Sequence, residues 1–364
     1  MKVERKKLVA VTSNVRKAIA KSNNEMLESI KIEGKNGVLS LSSSSYYITI
    51  TGSIDVDDLS DFTCVVNAAM FYNTISKVMA EYIELIKEEK YVYIKGQAFD
   101  TGTNYNIKLP ILDDTLCPIE TVEITDKRGY DGSILKNYIK ACSHAIGNGD
   151  KDLKMGSFFI EVGDNDNLRV TSLDRCRISV RHNGNKEYNE SFIVPGKQCK
   201  DAAEIIDEDF VFYRAEDNNI IMSGKTEDCH YNILIRLVEG NYFNFSSILN
   251  VINRKYKVIA KKQELLDALN VVTLFGHPIL TITKDRISFS TKKESGMADL
   301  IIQAKTEMDI EKFVICLNGG YFKDAIVSLE GDDIEIDLTS ENTPVLLSSN
   351  TKEAEIILPI TIHA

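Results

Sequence analysis

The sequence predicts an α+β chain of three similar domains, each made of two strand-helix-strands units, and three observations carry that expectation. Six segments with helical periodicity recur about every 60 residues. A short β-rich run precedes each of them, and further β-rich runs separated by turn residues follow. At 364 residues the chain is also too long for one ordinary core, which favours two or three domains.

The first helix is expected over 6–20, with Leu8, Val11, Val15, Ala18 and Ile19 on one face, after the run 1–5. The second, 67–79, aligns Phe71, Ile75, Val78 and Met79 after 62–66, and the third, 133–146, aligns Leu135, Ile139, Cys142 and Ile146 after 121–125. The fourth, 196–206, gathers Cys199, Ala202, Ala203 and Ile206 after 191–194, with Pro195 near its start, where proline is tolerated. The fifth begins at 261 with Leu265, Leu269 and Val272 on one face and extends to Phe275, after 255–260. The sixth, 319–329, carries Phe322, Ile326 and Leu329 after 312–317. Strands are expected over 38–41, 46–50, 91–95, 105–109, 157–162, 168–180, 210–214, 220–223, 231–238, 279–283, 286–290, 298–304, 333–338, 345–348 and 355–362. Two units can bury their amphipathic helices against one another's sheets, which gives domains 1–121, 122–250 and 251–364.

The composition, 43% hydrophobic and 27% charged, is that of a soluble globular protein, and no apolar run is long enough to cross a membrane. The charged start, followed by an amphipathic segment, lacks the apolar region of a signal peptide, so a cytoplasmic chain is expected. Seven scattered cysteines without a Cys-x-x-Cys pair point to reduced thiols, with neither a disulfide frame nor a zinc site, and no cofactor is expected. The formal charge of -11 counts against nucleic acid only if the charge is evenly spread. It is not: Lys7, Lys17, Lys21, Lys77, Lys136, Lys140, Lys197, Lys200, Lys261, Lys262 and Lys323 sit on predicted helices or, for Lys21, just past the end of one, while acid concentrates in 55–61 and 331–337. One such lysine reads as a solvated face, but six helices sharing the bias point to a common cationic surface.

The stretch 168–180, Leu-Arg-Val-Thr-Ser-Leu-Asp-Arg-Cys-Arg-Ile-Ser-Val, reads as two strands around a charged centre whose tip faces solvent. The apolar stretches 238–249 and 356–362 can pack beside it to build a groove. An enzyme is the rival class, and its marks fail. Ser133-Ile134-Leu135-Lys136 matches Ser-x-x-Lys without the companion motifs, and 225–227 is only a partial Lys-Thr-Gly. Asp164-Asn165-Asp166 lacks the glycine and glutamate of a calcium loop. Cys229 and His230 alternate to opposite faces of a strand, and no Gly-x-x-x-x-Gly-Lys phosphate loop occurs.

With these residues in view, the sequence resembles the bacterial DNA polymerase sliding clamp, the beta subunit of the replicative polymerase, over essentially its whole length. The stretch 168–180 is similar to the family's Thr-Asp-Gly-His-Arg-Leu region, Leu237-Val238-Glu239-Gly240-Asn241-Tyr242-Phe243 to its Val-Asp-Gly-x-Phe-Pro element, and Ile356-Ile357-Leu358-Pro359-Ile360 to its Val-Val-Met-Pro-Met ending. Leu173 stands in place of the threonine, Arg175 and Cys176 in place of Gly-His, and Phe243 in place of the proline. The tail runs on through His363-Ala364, and 22–28 lacks the family's proline-containing loop.

The resemblance implies a non-catalytic accessory subunit of three clamp domains that closes as a head-to-tail homodimer into a ring around double-stranded DNA, without sequence preference. It implies a DNA lining to which Lys17, Lys21, Lys77, Lys136, Lys140, Lys197, Lys200 and Lys323 contribute, and a dimer contact through Tyr105, Ile107, Leu274 and Phe275. It also implies a pocket for short linear motifs of polymerase, clamp loader and repair proteins. That pocket is formed by Met155, Leu173, Arg175, Cys176, Arg177, Ile178, Phe243, Ser247, Ile248, Pro344, Leu358, Pro359 and Ile360, with Arg175 and Arg177 holding peptide carbonyls or acids. The alternative is a scaffold of the same fold that does not encircle DNA, which loss of the lysines would mark.

Overall fold

The computed structural model describes residues 1–19, 28–58, 60–113, 119, 129–149, 152–164, 167–184, 187–244, 248, 252–294 and 296–361. In chain order the first expected unit gives β1 (Lys2–Glu4), α1 (Arg5–Val15), β2 (Ser29–Lys35), β3 (Val38–Ser44) and β4 (Ile48–Asp55). The second gives β5 (Phe62–Asn67), α2 (Ala68–Lys77), β6 (Tyr82–Glu88), β7 (Tyr91–Gln97) and β8 (Asn104–Pro110). The third gives β9 (Tyr130–Asp131), α3 (Gly132–Cys142), β10 (Ser157–Val162), β11 (Leu168–Leu173) and β12 (Arg177–His182). The fourth gives β13 (Glu190–Pro195), α4 (Gly196–Ile205), β14 (Glu208–Ala215), β15 (Asn219–Lys225) and β16 (His230–Arg236). The fifth gives β17 (Tyr256–Lys261), α5 (Lys262–Val272), β18 (Ile279–Ile282), β19 (Arg286–Lys293), β20 (Gly296–Gln303) and β21 (Lys305–Glu307). The sixth gives β22 (Phe313–Cys316), α6 (Gly319–Ser328), β23 (Asp333–Leu338), β24 (Val345–Ser348) and β25 (Glu353–Ile357).

The chain forms two compact units, Met1–Lys136 with Lys197–Leu237, and Asn137–Gly196 with Val238–Ala364. In the first, one sheet runs β1-β6-β7-β8 and another runs β5-β2-β3-β4-β16-β15-β14-β9. In the second, one runs β13-β10-β11-β12-β25-β24-β23-β17-β21 and another runs β20-β19-β18-β22. Strands of different expected domains therefore pair within a sheet, β4 with β16 and β12 with β25.

The helices form where apolar spacing and caps coincide. In α1, Leu8, Val11, Thr12 and Val15 are buried, and the helix lies so close to β4 that a Cβ on Gly52 would collide with Val11 and come within 2.8 Å of Tyr231. Asn67 caps α2 by accepting the Met70 N–H at 3.0 Å, and Asn318 caps α6 by accepting those of Gly320 and Tyr321 at 3.0 and 3.2 Å. The carbonyl ends are satisfied by one device used three times: a cation near the start of one helix binds the last carbonyls of the next. Arg5 of α1 donates to Ser76 O at 3.2 Å, Lys136 of α3 to Ile206 O at 2.8 Å, and Lys262 of α5 to Leu329 O at 2.5 Å.

The expected helices were too long at their ends. The helix expected over 6–20 stops at Val15 and tightens into a 3-10 turn at Arg16–Ala18, and that expected over 133–146 stops at Cys142 before a similar turn at Ser143–Ala145. The fifth ends at Val272, where Thr273 Oγ1 turns back to Leu269 O at 2.6 Å. Strands β2 and β6 were not among the expected elements, and the run 121–125 lies outside the described residues.

Among the described residues one buried carboxylate has an ion pair but no hydrogen bond. Asp337 of β23 is 1% exposed, and neither carboxylate oxygen has a hydrogen-bond partner; Arg254 Nε stands 3.5 Å away. Burial pushes its pKa up, so the carboxylate costs stability when ionised. Asp337→Asn is expected to raise stability by roughly 1 kcal/mol. Because the folded pKa is raised, the gap from wild type should be full above that pKa and close as pH falls through it, which melting curves taken in a series from neutral pH into the acid range would show.

Candidate peptide-binding pocket

Within the second compact unit, β11 and β12 form a hairpin whose tip is set by Asp174. Its Oδ1 accepts the N–H groups of Cys176 at 2.7 Å and Arg177 at 2.9 Å, and its own N–H donates to Arg177 O at 3.0 Å. Strand β25 lies against β12 with Ile178 opposite Ile356 and Arg177 opposite Ile357. Past Ile357 the chain leaves the sheet: Leu358 N–H donates to Cys176 O at 2.8 Å and Ile360 N–H to Cys316 O at 2.8 Å, with Pro359, which has no N–H, between them. The strand expected over 355–362 therefore ends at Ile357, and the tail continues as an irregular strap.

Beneath this frame Leu173, Ile178, Val180, Ile252, Leu346 and Ile356 form an apolar cluster, with Met155, Phe159, Tyr242, Phe243 and Ile248 packed against it. Tyr242 stacks on Phe159 (4.8 Å, 6°), donates its hydroxyl to Ser157 O at 3.2 Å, and meets Phe243 edge-on at 5.5 Å. Its burial pushes the phenol pKa up, so it stays a neutral donor.

A cavity of about 200 Å³ opens here, lined by Met155, Leu173, Asp174, Arg175, Cys176, Arg177, Ile178, Phe243, Asn244, Ile248, Ile356 and Leu358. Nine residues expected from the sequence are thus brought together. Ser247 lies outside the described residues; Pro344, Pro359 and Ile360 do not line the cavity. Asp174, Asn244 and Ile356 were missed. Asp174 could have been found from its turn-forming place in the hairpin, whereas Ile356 both closes the sheet and walls the cavity.

The two arginines differ in a way the sequence hides. Arg177 donates Nε to Asp174 at 2.9 Å and Nη1 to Asp324 at 2.8 Å, and its guanidinium lies 4.2 Å from the Tyr321 ring centroid. Two of its five N–H donors are thus engaged by the protein's own carboxylates. Arg175 is exposed with no ion pair among the described residues, so of the two lining cations it is the one left without a carboxylate partner.

The remaining expected residues lie elsewhere. Lys77 and Lys140 are exposed on α2 and α3; Lys200 and Lys323 are half-buried on α4 and α6; none of the four has an ion pair among the described residues. Lys17, in the 3-10 turn, pairs with Glu204 at 3.0 Å, Lys136 with Asp207 at 3.0 Å, and Lys197 with Asp201 at 2.7 Å. Lys21 lies outside the described residues. Tyr105 and Ile107 are half-buried on β8, an edge strand, beside a shallow concavity of about 880 Å³. Leu274 is 71% exposed, and Phe275 packs on Gly296 at the start of the edge strand β20. Cys229 is buried and His230 exposed, as alternation requires, and among the described residues no cluster of metal-ligating side chains forms.

The family described as "DNA polymerase III beta subunit, N-terminal domain" matches residues 1–113. Beta sliding clamps of Staphylococcus epidermidis and Staphylococcus aureus are each 23% identical to this chain, over 93% of it and 92% of their own length. Among solved structures, the DNA polymerase sliding clamp of Bacillus subtilis superposes with a TM-score of 0.87 at 20% identity, covering 100% of this chain and 99% of that one. The DNA polymerase III subunit beta of Pseudomonas aeruginosa does so with 0.88 at 16%, covering both chains fully. The repeated strand-helix-strands fold is thus the clamp fold. Residues 1–113 thus match the N-terminal domain of the DNA polymerase III beta subunit, and nearly the whole chain is similar to beta sliding clamps.

Proposed function

We propose that this chain is a sliding clamp: a processivity factor that closes head to tail as a homodimer around duplex DNA and tethers a polymerase and other motif-bearing proteins through the pocket. The observation that supports it most is the sixfold strand-helix-strands repeat, found together with clamp relatives matched along nearly the whole chain. In this reading the domains are 1–121, 122–250 and 251–364, and the chain acts without chemistry of its own in the cytoplasm. A ring needs no base readout, only enough positive lining to attract phosphates, while an acidic exterior discourages idle contact. That is how a net charge of -11 accords with a DNA partner.

Dimer closure needs a heterologous contact that returns on itself. The edge strands β8 and β20 offer unpaired backbone groups for it, beside Tyr105 and Ile107 on one and beside Leu274 and Phe275 on the other. Light scattering is expected to give twice the chain mass, and the protein should be retained on closed circular DNA yet run off once the circle is cut. A stable monomer at micromolar concentration would defeat the reading, and a dimer that ignores circular DNA would leave only a clamp-fold scaffold.

The lining separates into two groups. Because Lys17, Lys136 and Lys197 are already paired with carboxylates, Lys77, Lys140, Lys200 and Lys323 are expected to carry most of the DNA attraction. Reversing these four to glutamate should flatten the salt dependence of DNA association by about 0.9 in log-log slope for each phosphate no longer neutralised. The same reversal at Lys17, Lys136 and Lys197 should flatten it less. Equal slopes in both sets would show that the pairing is irrelevant to the lining.

A further inference from the structure

The hairpin tip that walls the pocket is tied to a helix outside it. Arg177 reaches from β12 to two carboxylates at once, Asp174 in the tip at 2.9 Å and Asp324 on α6 at 2.8 Å, and lies 4.2 Å from the Tyr321 ring centroid of the same helix. Its side chain is 13% exposed, so the bridge is largely shielded from water, although Asp324 itself is 47% exposed. Asp324 and Tyr321 do not line the cavity. Asp174 also fixes the backbone N–H groups of Cys176 and Arg177, and Cys176 O in turn accepts Leu358 N–H. One guanidinium therefore connects α6, the tip and the strap that ends in Leu358.

We propose that Arg177 is a positioning residue: it latches the β11–β12 tip to α6 through Asp324 and Tyr321, and so holds Arg175, Cys176 and Leu358 in the arrangement that receives a peptide. The effect on peptides rests on the pocket reading above; the latch itself does not. Arg177 acts through the tip and leaves the peptide's charges to Arg175. Its planar fork serves two carboxylates and a ring face together, which the point charge of a lysine cannot reproduce.

Asp324→Asn tests the latch from outside the pocket, because it removes one carboxylate and leaves every lining residue in place. Cys176 supplies the reporter, being exposed while the other described cysteines are buried. A nitroxide attached there, with Cys176→Ser as the labelling control, reads the mobility of the tip by its spectral line shape. Asp324→Asn and Arg177→Lys are each expected to increase that mobility with the melting temperature unchanged. Both should also weaken, by roughly three- to tenfold, a fluorescein-labelled heptapeptide bearing two leucines, a phenylalanine and one aspartate. A line shape identical to wild type in both variants overturns the latch. If the line shape changes but the wild-type protein ignores the peptide, the latch stands and the peptide reading fails.

Discussion

Arg181→Ala is expected to destabilise the second compact unit by about 3–5 kcal/mol, the largest single-residue effect in this chain. Arg181 is 3% exposed on β12 and donates to Glu355 at 2.8 Å, to Val180 O at 2.8 Å and to Ser328 O at 2.9 Å. Glu355, 1% exposed on β25, further accepts the hydroxyls of Ser179 at 2.7 Å and Ser328 at 2.9 Å, and faces His144 Nε2 at 3.1 Å. Removing the guanidinium leaves a buried carboxylate without its main counter-charge and Ser328 O without its donor. The penalty is that of an uncompensated charge more than of a missing attraction, so the double variant Arg181→Met with Glu355→Leu should recover most of the loss. Denaturant titration of the three proteins decides it: a loss below about 1 kcal/mol in the single variant, or no recovery in the double, would show that water or relaxation compensates Glu355. Since β25 carries Ile356 and leads into Leu358, peptide binding should be lost by this variant only as it unfolds.

The helices were legible because burial on one side writes a period into the sequence. All six appeared where Leu8, Phe71, Leu135, Cys199, Leu265 and Phe322 mark their inner faces, and their ends were misplaced where local turn geometry decides. Nothing in the composition of 16–18 distinguishes a 3-10 turn from a further turn of α-helix. Strand β2, Ser-Ile-Lys-Ile-Glu-Gly-Lys, alternates as a strand should, yet its only large apolar residues are Ile30 and Ile32, too few to stand out from the polar connection before it. The pairing of β4 with β16 and of β12 with β25 was out of reach, because register between strands distant in sequence depends on the assembled fold.

The pocket was legible in outline for a different reason: its three walls are contiguous stretches, each with its own apolar pattern. What sequence reading could not supply was the fate of each polar group. Arg175 and Arg177 look equivalent on paper, two residues apart in one hairpin, yet one meets solvent and the other is engaged by Asp174 and by Asp324, 147 residues away. The same holds for the lysines, where helical position identified the cations but not that Glu204, Asp207 and Asp201 already neutralise three of them. Charge is a property of the residue, whereas its availability is a property of the neighbours.

The tail gives the second large effect. Leu358 is 42% exposed and walls the cavity, whereas Ile356 and Ile357 are each 1% exposed; Ile360 is half-buried and outside the lining. Leu358→Ala is therefore expected to weaken an anchoring peptide by roughly 1–3 kcal/mol while leaving melting and dimerisation nearly intact. Phe243→Ala should cost a similar amount of affinity, together with some stability, because it also removes the edge-on packing with Tyr242. Ile360→Ala should change affinity least, because its tie to the protein is the backbone bond to Cys316 O, which alanine keeps. Calorimetric titration of the labelled heptapeptide into the three variants, beside their melting curves, orders them directly. If Leu358→Ala binds as wild type, or loses affinity only in step with its stability, the strap belongs to the core and the pocket's outer wall lies elsewhere. If Ile360→Ala proves the most damaging, the tail moves on binding and the cavity seen here is its closed form.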